Sequence, residues 1–342
     1  MMQQPAHPRA PIPITIIGGF LGAGKTSLLN HILSEDHGVR AGVLVNDFGA
    51  VNIDAKLIVG VDEDDTVSLE NGCICCDIRD DLLAACLAML QRPEPPKVVI
   101  IETSGVSDPI EVVRTFDLPQ LHSTMAIESV ITVVDAERFP SLLHGEVADL
   151  ARAQVQVADI VVLNKVDLVS ADGLAGVCTE VRGIAPVSRI LETCHGRVPL
   201  ELVLGTDAVR PADQTGPDHH EGHHHDRPHP FSSWHWTCDL PLSLPKLQRV
   251  IESLPETVYR AKGTVHLEEL PQYQIAFQMV GKRYNLKDTD PWGGAAPQSE
   301  IVLIASADSI DRDDLQRAFD NCIGTGDETE SPILGLSRQL HG

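Results

Sequence analysis

No apolar stretch of the 342-residue chain reaches the ~18 residues that a membrane-spanning helix needs. The opening segment, Met1 to Pro11, has no apolar signal core, so export is not expected. Basic residues are scarce: 26 Lys and Arg stand against 49 Asp and Glu, giving a net charge of −23. A surface this acidic repels phosphate backbones and anionic lipid, which excludes nucleic acid and membrane surfaces as expected partners. No internal repeat is evident. Eight cysteines could suggest disulfides in a small secreted chain. In a long chain with no export signal they read as reduced thiols, and the expected location is the cytoplasm. The 43% of hydrophobic residues is enough for two separate cores.

What the chain does have is a short glycine-rich run, Gly19 to Thr26, that fits G-x-x-x-x-G-K-[ST] at every fixed position. Glycine lets backbone N–H groups curl round a polyphosphate with no Cβ in the way. Lys25 would reach the β- and γ-phosphates, and the Thr26 hydroxyl would bind Mg²⁺. Gly19, Gly22, Ala23, Gly24, Lys25, Thr26 and Ser27 are therefore the expected phosphate-binding residues, with Lys25 also catalytic. The β-branched run from Ile12 to Ile17 predicts a buried strand before the loop. Ser27 to Leu33 has apolar residues at helical spacing, which aims a helix N-terminus at the anion.

Further β-branched runs end in polar residues: Val43 to Val45 before Asn46, Lys97 to Ile101 before Glu102, Ser129 to Val134 before Asp135, and Asp159 to Leu163 before Asn164. This is the pattern of parallel strands buried on both faces, whose carboxyl ends carry the ligand site. The expected fold class is α/β: a P-loop NTPase three-layer domain with a mostly parallel sheet, followed by a smaller α+β domain. Expected boundaries are a flexible N-terminus (1–11), the P-loop domain (12–205), a His-rich linker (206–230), the second domain (231–325) and a tail (326–342). In the second domain, strands are predicted over Phe231–Cys238, Thr257–Leu267, Tyr273–Val280 and Glu300–Ile304, with helices over Ser243–Leu254 and Arg312–Cys322.

Asn164-Lys165-Val166-Asp167 is N-K-x-D at the end of an apolar strand. A carboxylate at Asp167 can accept hydrogen bonds from guanine N1–H and the 2-amino group together. Adenine offers neither donor there, so a buried Asp167 would be left unpaired, and such losses discriminate by as much as ~10⁴-fold. GTP is the expected nucleotide, read by Asn164, Lys165 and Asp167. Glu102 can hold Mg²⁺, directly or through water, or orient the attacking water; a helix-capping Glu-Thr-Ser-Gly turn is the competing reading. Asp47 is a further candidate near the metal or a switch region. No arginine can be assigned as a cis finger, so slow intrinsic turnover is expected.

Cys73, Cys75 and Cys76 put three thiols after an Asn71-Gly72 turn. Adjacent thiolates repel unless a cation neutralises them, which suits a soft or borderline divalent ion. Zinc ordinarily takes four ligands, so one place stays open to water, another side chain or a recipient. Competing readings are a redox switch and packing. Cys86, Cys178, Cys194, Cys238 and Cys322 read as packing residues. His219, His220, His223, His224, His225 and His229 form a linker tract that would buffer metal loosely.

Taken together, these motifs resemble the CobW family of metallochaperone GTPases, from about Ile14 to Cys322. The residues carrying the likeness are Gly18 to Thr26, Asn71 to Cys76, Glu102 to Gly105 and Asn164 to Asp167, with Tyr259 to Val265 at the expected core strand of the second domain. The resemblance implies GTP hydrolysis with Mg²⁺, a Zn²⁺ or Co²⁺ site on Cys73, Cys75 and Cys76, and delivery to a client apo-metalloprotein; a homodimer is left open. A cobalt-handling helper in cobalamin biosynthesis and a redox-sensing regulatory GTPase are the alternatives. Many relatives have Asn-Glu-Phe-Gly where this chain has Asn46-Asp47-Phe48-Gly49. The segment before Ile14 lacks the Cys-Pro docking pair of eukaryotic zinc members.

Overall fold

A computed structural model of the chain describes residues 11–35, 40–46, 66–69, 77–116, 121, 124–204, 231–307 and 309–324. Its contacts divide the chain into two units between residues 210 and 211.

In the first unit the strands are β1 (Ile12–Gly18), β2 (Ala41–Asn46), β3 (Thr66–Leu69), β4 (Val98–Glu102), β5 (Met125–Asp135), β6 (Ile160–Asn164) and β7 (Arg189–Glu192). They form one seven-stranded sheet in the order β3-β2-β4-β1-β5-β6-β7. Every neighbouring pair is parallel, so the sheet is wholly rather than mostly parallel. The sequences account for this. β4, Val-Val-Ile-Ile-Glu, and β6, Ile-Val-Val-Leu-Asn, are buried along their whole length, as strands covered on both faces must be. Parallel neighbours need crossovers, and helices supply them: α1 (Lys25–Ser34), α2 (Asp77–Leu90), α3 (Pro109–Phe116), α4 (Phe139–Leu142), α5 (Ala148–Gln156) and α6 (Ala171–Ile184), with α7 (Leu200–Leu204) after β7. Helix α1 buries Lys25, Leu28, Leu29 and Ile32, a stripe one helical face wide.

Among the described residues, two apolar clusters stand out in the core of this unit. Ile14, Ile16, Val99 and Ile101 pack with Met89 and Phe116, while Val134, Val161 and Leu163 pack with Val155, Val177 and Val181. Strands β3 and β7, each four residues long, lie at the two ends of the strand order and were not predicted. Edge strands this short carry too few residues to show a period.

The second unit is a five-stranded antiparallel sheet in the order β11-β10-β9-β12-β8. Its strands are β8 (Phe231–Cys238), β9 (Val258–Val265), β10 (Tyr273–Val280), β11 (Arg283–Pro291) and β12 (Ser299–Ser306), with helices α8 (Leu244–Ser253) and α9 (Arg312–Asp320). Alternation along β8 turns Trp234 and Trp236 inward, and both rings lie 5.4 Å from Phe319 of α9. Asp311 caps α9 by accepting hydrogen bonds from the Asp313 and Asp314 N–H groups at 2.9 and 3.1 Å. Strand β11 was not predicted. Its sequence, Arg-Tyr-Asn-Leu-Lys-Asp-Thr-Asp-Pro, is polar because it forms the edge of the sheet and pairs only with β10.

Candidate functional site

The phosphate loop joins β1 to α1 at the carboxyl edge of the sheet. Gly24 stands at the helix N-cap with φ 107°, and a Cβ there would lie 2.2 Å from Asn164 Nδ2. No L side chain fits, so the loop needs glycine at this position. Lys25 opens the helix and is 93% buried, with 7% of its surface exposed. Its ammonium donates to the Gly19 carbonyl at 2.9 Å and the Phe20 carbonyl at 3.4 Å, which keeps the charge inside the loop.

One residue on, the Thr26 hydroxyl donates to Glu102 Oε1 at 3.0 Å. Glu102 ends β4 and is 2% exposed. A hydroxyl and a buried carboxylate side by side are hard oxygen ligands, the set that suits Mg²⁺. Glu102 does not cap the following helix. That helix begins at Pro109, and Asp108 Oδ1 takes the Ile110 N–H at 2.9 Å instead.

Asn164 and Lys165 both reach the same loop, each in a different way. Asn164 Nδ2 donates to the Ala23 carbonyl at 2.9 Å, while its Oδ1 accepts from the Gly196 N–H at 3.0 Å. Asn164 thus straps the phosphate loop to the turn after β7. Lys165 has a left-handed backbone, φ 62°. Its ammonium donates to the Gly22 carbonyl at 2.8 Å and to Asp135 Oδ2 at 2.6 Å. Asp135 is buried at the end of β5, and its other oxygen accepts from the Glu137 and Arg138 N–H groups at 3.0 and 3.1 Å. This carboxylate fixes Lys165 and is a site residue that sequence reasoning passed over, although it ends an apolar strand as Glu102 and Asn164 do.

Two expectations need correction. Asp167, expected to be buried, is exposed. It sits on the single 3₁₀ turn Val166–Leu168 at the rim of the sheet, where the chain has already left the core. Cys194, expected to be a packing residue, is only partly buried and lies at this rim. A hydrogen bond to the Asp167 carboxylate pushes its thiol pKa up, with burial adding to the effect. The turn is held in place because the Thr193 N–H donates to the Leu163 carbonyl at 2.8 Å and the Thr193 carbonyl accepts from the Val166 N–H at 3.4 Å. Cys178 and Cys238 are also partly exposed. Cys86 and Cys322 are core residues, with thiol pKa values pushed up to about 12 and about 11, chiefly by burial.

Cys73, Cys75, Cys76, Asp47 and the tract of His219, His220, His223, His224, His225 and His229 lie outside the described residues. Among the described residues, no group of three or more His, Cys, Asp or Glu side chains is arranged to hold a metal ion. No described helix is long and apolar enough to cross a membrane.

A glycine loop at a helix start, a buried lysine and a Thr–carboxylate pair on a parallel sheet define a P-loop nucleotide-binding protein. The chain belongs to the CobW/HypB/UreG family. That family's nucleotide-binding domain matches residues 13–191, and the cobalamin synthesis protein cobW C-terminal domain matches residues 231–323. The chain is 32% identical to a protein named zinc chaperone CobW from Pseudomonas aeruginosa, over 88% of this chain and 89% of that one. It is 30% identical to the zinc chaperone YjiA of Escherichia coli, over 90% of this chain and 98% of that one. The crystal structure of Zn(II)-bound YjiA GTPase from E. coli aligns over 92% of this chain and 99% of that one, at 24% identity and a TM-score of 0.45.

Proposed function

We propose that the chain is a GTP-hydrolysing zinc chaperone that carries the ion on Cys73, Cys75 and Cys76 and passes it to a client metalloprotein. The observation that carries this reading is the register of the sheet. Val45 pairs with Glu102 and Asn46 with Leu69, so the residue that leads into the cysteine segment ends its strand one row from the nucleotide-site carboxylate. Two strand spacings separate them, about 10 Å. The names of the relatives at 30–32% identity support the metal and the chaperone role. Reduced thiols of this kind belong to a cytoplasmic protein.

In this reading Thr26 and Glu102 hold Mg²⁺, whose charge would be set against the phosphate oxygens. Lys25 and the loop N–H groups hold the phosphates, and Lys165, Asp167 and the turn carrying Cys194 receive the base. Loss of the γ-phosphate releases the segment next to Glu102 and loosens the thiolate grip on zinc. The histidine tract buffers metal close by.

The test is equilibrium Zn²⁺ binding to the full chain with Mg²⁺ and either a non-hydrolysable GTP analogue or GDP. Tighter zinc binding with the analogue, lost when the three cysteines are changed to serine, is expected. Equal affinities with both nucleotides would remove the switch. Competition between Co²⁺ and Zn²⁺ in the same assay separates the zinc reading from cobalt handling. Identification of proteins captured with the GTP-bound form names the client.

A further inference from the structure

Helix α5 has an amphipathic inner face, and one of its innermost residues is polar: Gln154, 2% exposed, beside the buried Ala151 and Val155. A buried amide on an apolar face is unfavourable unless its hydrogen bonds are met. Here they are met by one segment. Gln154 Nε2 donates to the Gly105 and Ser107 carbonyls, each at 3.2 Å, so both amide hydrogens go to the loop that follows Glu102. The helix is itself anchored at this residue, because the Gln154 backbone carbonyl accepts the Thr132 hydroxyl of β5 at 2.6 Å. The loop so held lies tight against the phosphate loop. A Cβ on Gly105 would come within 2.7 Å of the Leu21 backbone nitrogen. No side chain larger than that of glycine fits between this loop and Leu21.

We infer that Gln154 is a positioning residue for GTP hydrolysis: its amide holds residues 105–107 against the phosphate loop and ties any shift of that segment to helix α5. This inference rests on the GTPase reading above. Peptide planarity does the rest, since fixing the Gly105 and Ser107 carbonyls fixes the orientation of the peptide units next to them. Without the amide, the segment would keep its place in the chain but lose its register with Glu102 and Leu21. Misplacement on the ångström scale at a reacting centre lowers rate by about 10²-fold. Binding of GDP, which lacks the γ-phosphate, would be spared.

The experiment compares wild type, Gln154→Met (similar volume, no donor) and Gln154→Asn (same amide, one methylene shorter) in the full chain. GTP turnover, GDP affinity and thermal unfolding are measured for each. The expected result is turnover lowered tenfold or more in both variants, approaching about 10²-fold, with GDP affinity close to wild type and a lower melting temperature, because two buried carbonyls lose their donor. Wild-type turnover in a folded variant overturns the inference. So does an equal fall in turnover and GDP affinity, which marks a purely structural role. If Gln154→Met does not fold, Gln154→Asn decides. No turnover in the wild type itself counts against the GTPase reading instead. The Gln154 contact is then judged by amide hydrogen exchange of residues 103–108 with GDP bound. Faster exchange in the variants supports it, and unchanged exchange overturns it.

Discussion

Asp167 and Cys194 share one corner of the first unit, at the carboxyl ends of β6 and β7, where the carboxylate holds the thiol pKa up. In the proposed reading the chemistry of that carboxylate sets the base. It would accept two N–H donors, which guanine presents and xanthine does not, because xanthine has a carbonyl in place of the 2-amino group. Asp167→Asn replaces one acceptor oxygen with a donor NH₂ and should turn the preference from guanine to xanthine. A binding titration with both triphosphates checks this, and a loss of GTP affinity of ~10²-fold or more is expected. The exposed position of Asp167 means that little folding energy is at stake, so the melting temperature should not move. If GTP and XTP bind the variant as they bind wild type, Asp167 does not read the base. Asn164 is a different case although it belongs to the same motif. Both of its polar groups are used by Ala23 and Gly196, so its removal would loosen the loop itself.

Elements differ in how far the sequence announces them. Strand β1, the phosphate loop and α1 could be read because each residue type has a local job: β-branched residues, then glycine, then a 3.6-residue stripe. Strands β3, β7 and β11 could not, being short or polar edges whose partners lie far along the chain. The same holds within the site. Lys25 and Thr26 are legible from spacing, whereas Asp135 acts on a lysine 30 residues away and Gln154 on a carbonyl 49 residues away. Only tertiary structure makes those pairs. In the second unit, Phe319 joins α9 to β8 through Trp234 and Trp236, while hydrogen bonds from Trp236 Nε1 to Asp320 Oδ1 at 2.9 Å and from Arg312 to the Ser233 carbonyl at 3.3 Å span the same junction. The magnitudes rank these contacts. Losing a hydrogen bond to a charged acceptor costs roughly 1.5–3 kcal/mol, and emptying a buried aromatic site costs about 3–5 kcal/mol. Phe319→Ala should therefore cost the second unit about 3–5 kcal/mol, and Phe319→Leu distinctly less. All three tryptophans, Trp234, Trp236 and Trp292, lie in this unit, so tryptophan emission in a urea titration reports on it alone. A midpoint unchanged by Phe319→Ala would show that the ring contacts contribute little.

At the scale of the whole molecule, a net charge of −23 meets a ligand that is itself strongly anionic. Two fields compete during association. The overall acidic charge repels a nucleoside triphosphate from a distance, while the ammonium groups of Lys25 and Lys165, held within the loop, attract it at contact. Range decides between them. The Debye length is roughly 30 Å at 0.01 M salt and about 8 Å at 0.15 M, so salt removes the distant repulsion long before it touches contacts of ~3 Å. The association rate of a fluorescent GTP analogue should then rise as NaCl increases from about 10 to 150 mM, and the dissociation rate should stay nearly constant. Sites on basic proteins that bind phosphate groups show the opposite trend, because there the long-range field helps. Stopped-flow association at several salt concentrations makes the measurement directly. A rate that falls with salt would mean that the local cations govern capture from the start, and that the acidic surface faces away from the approaching nucleotide.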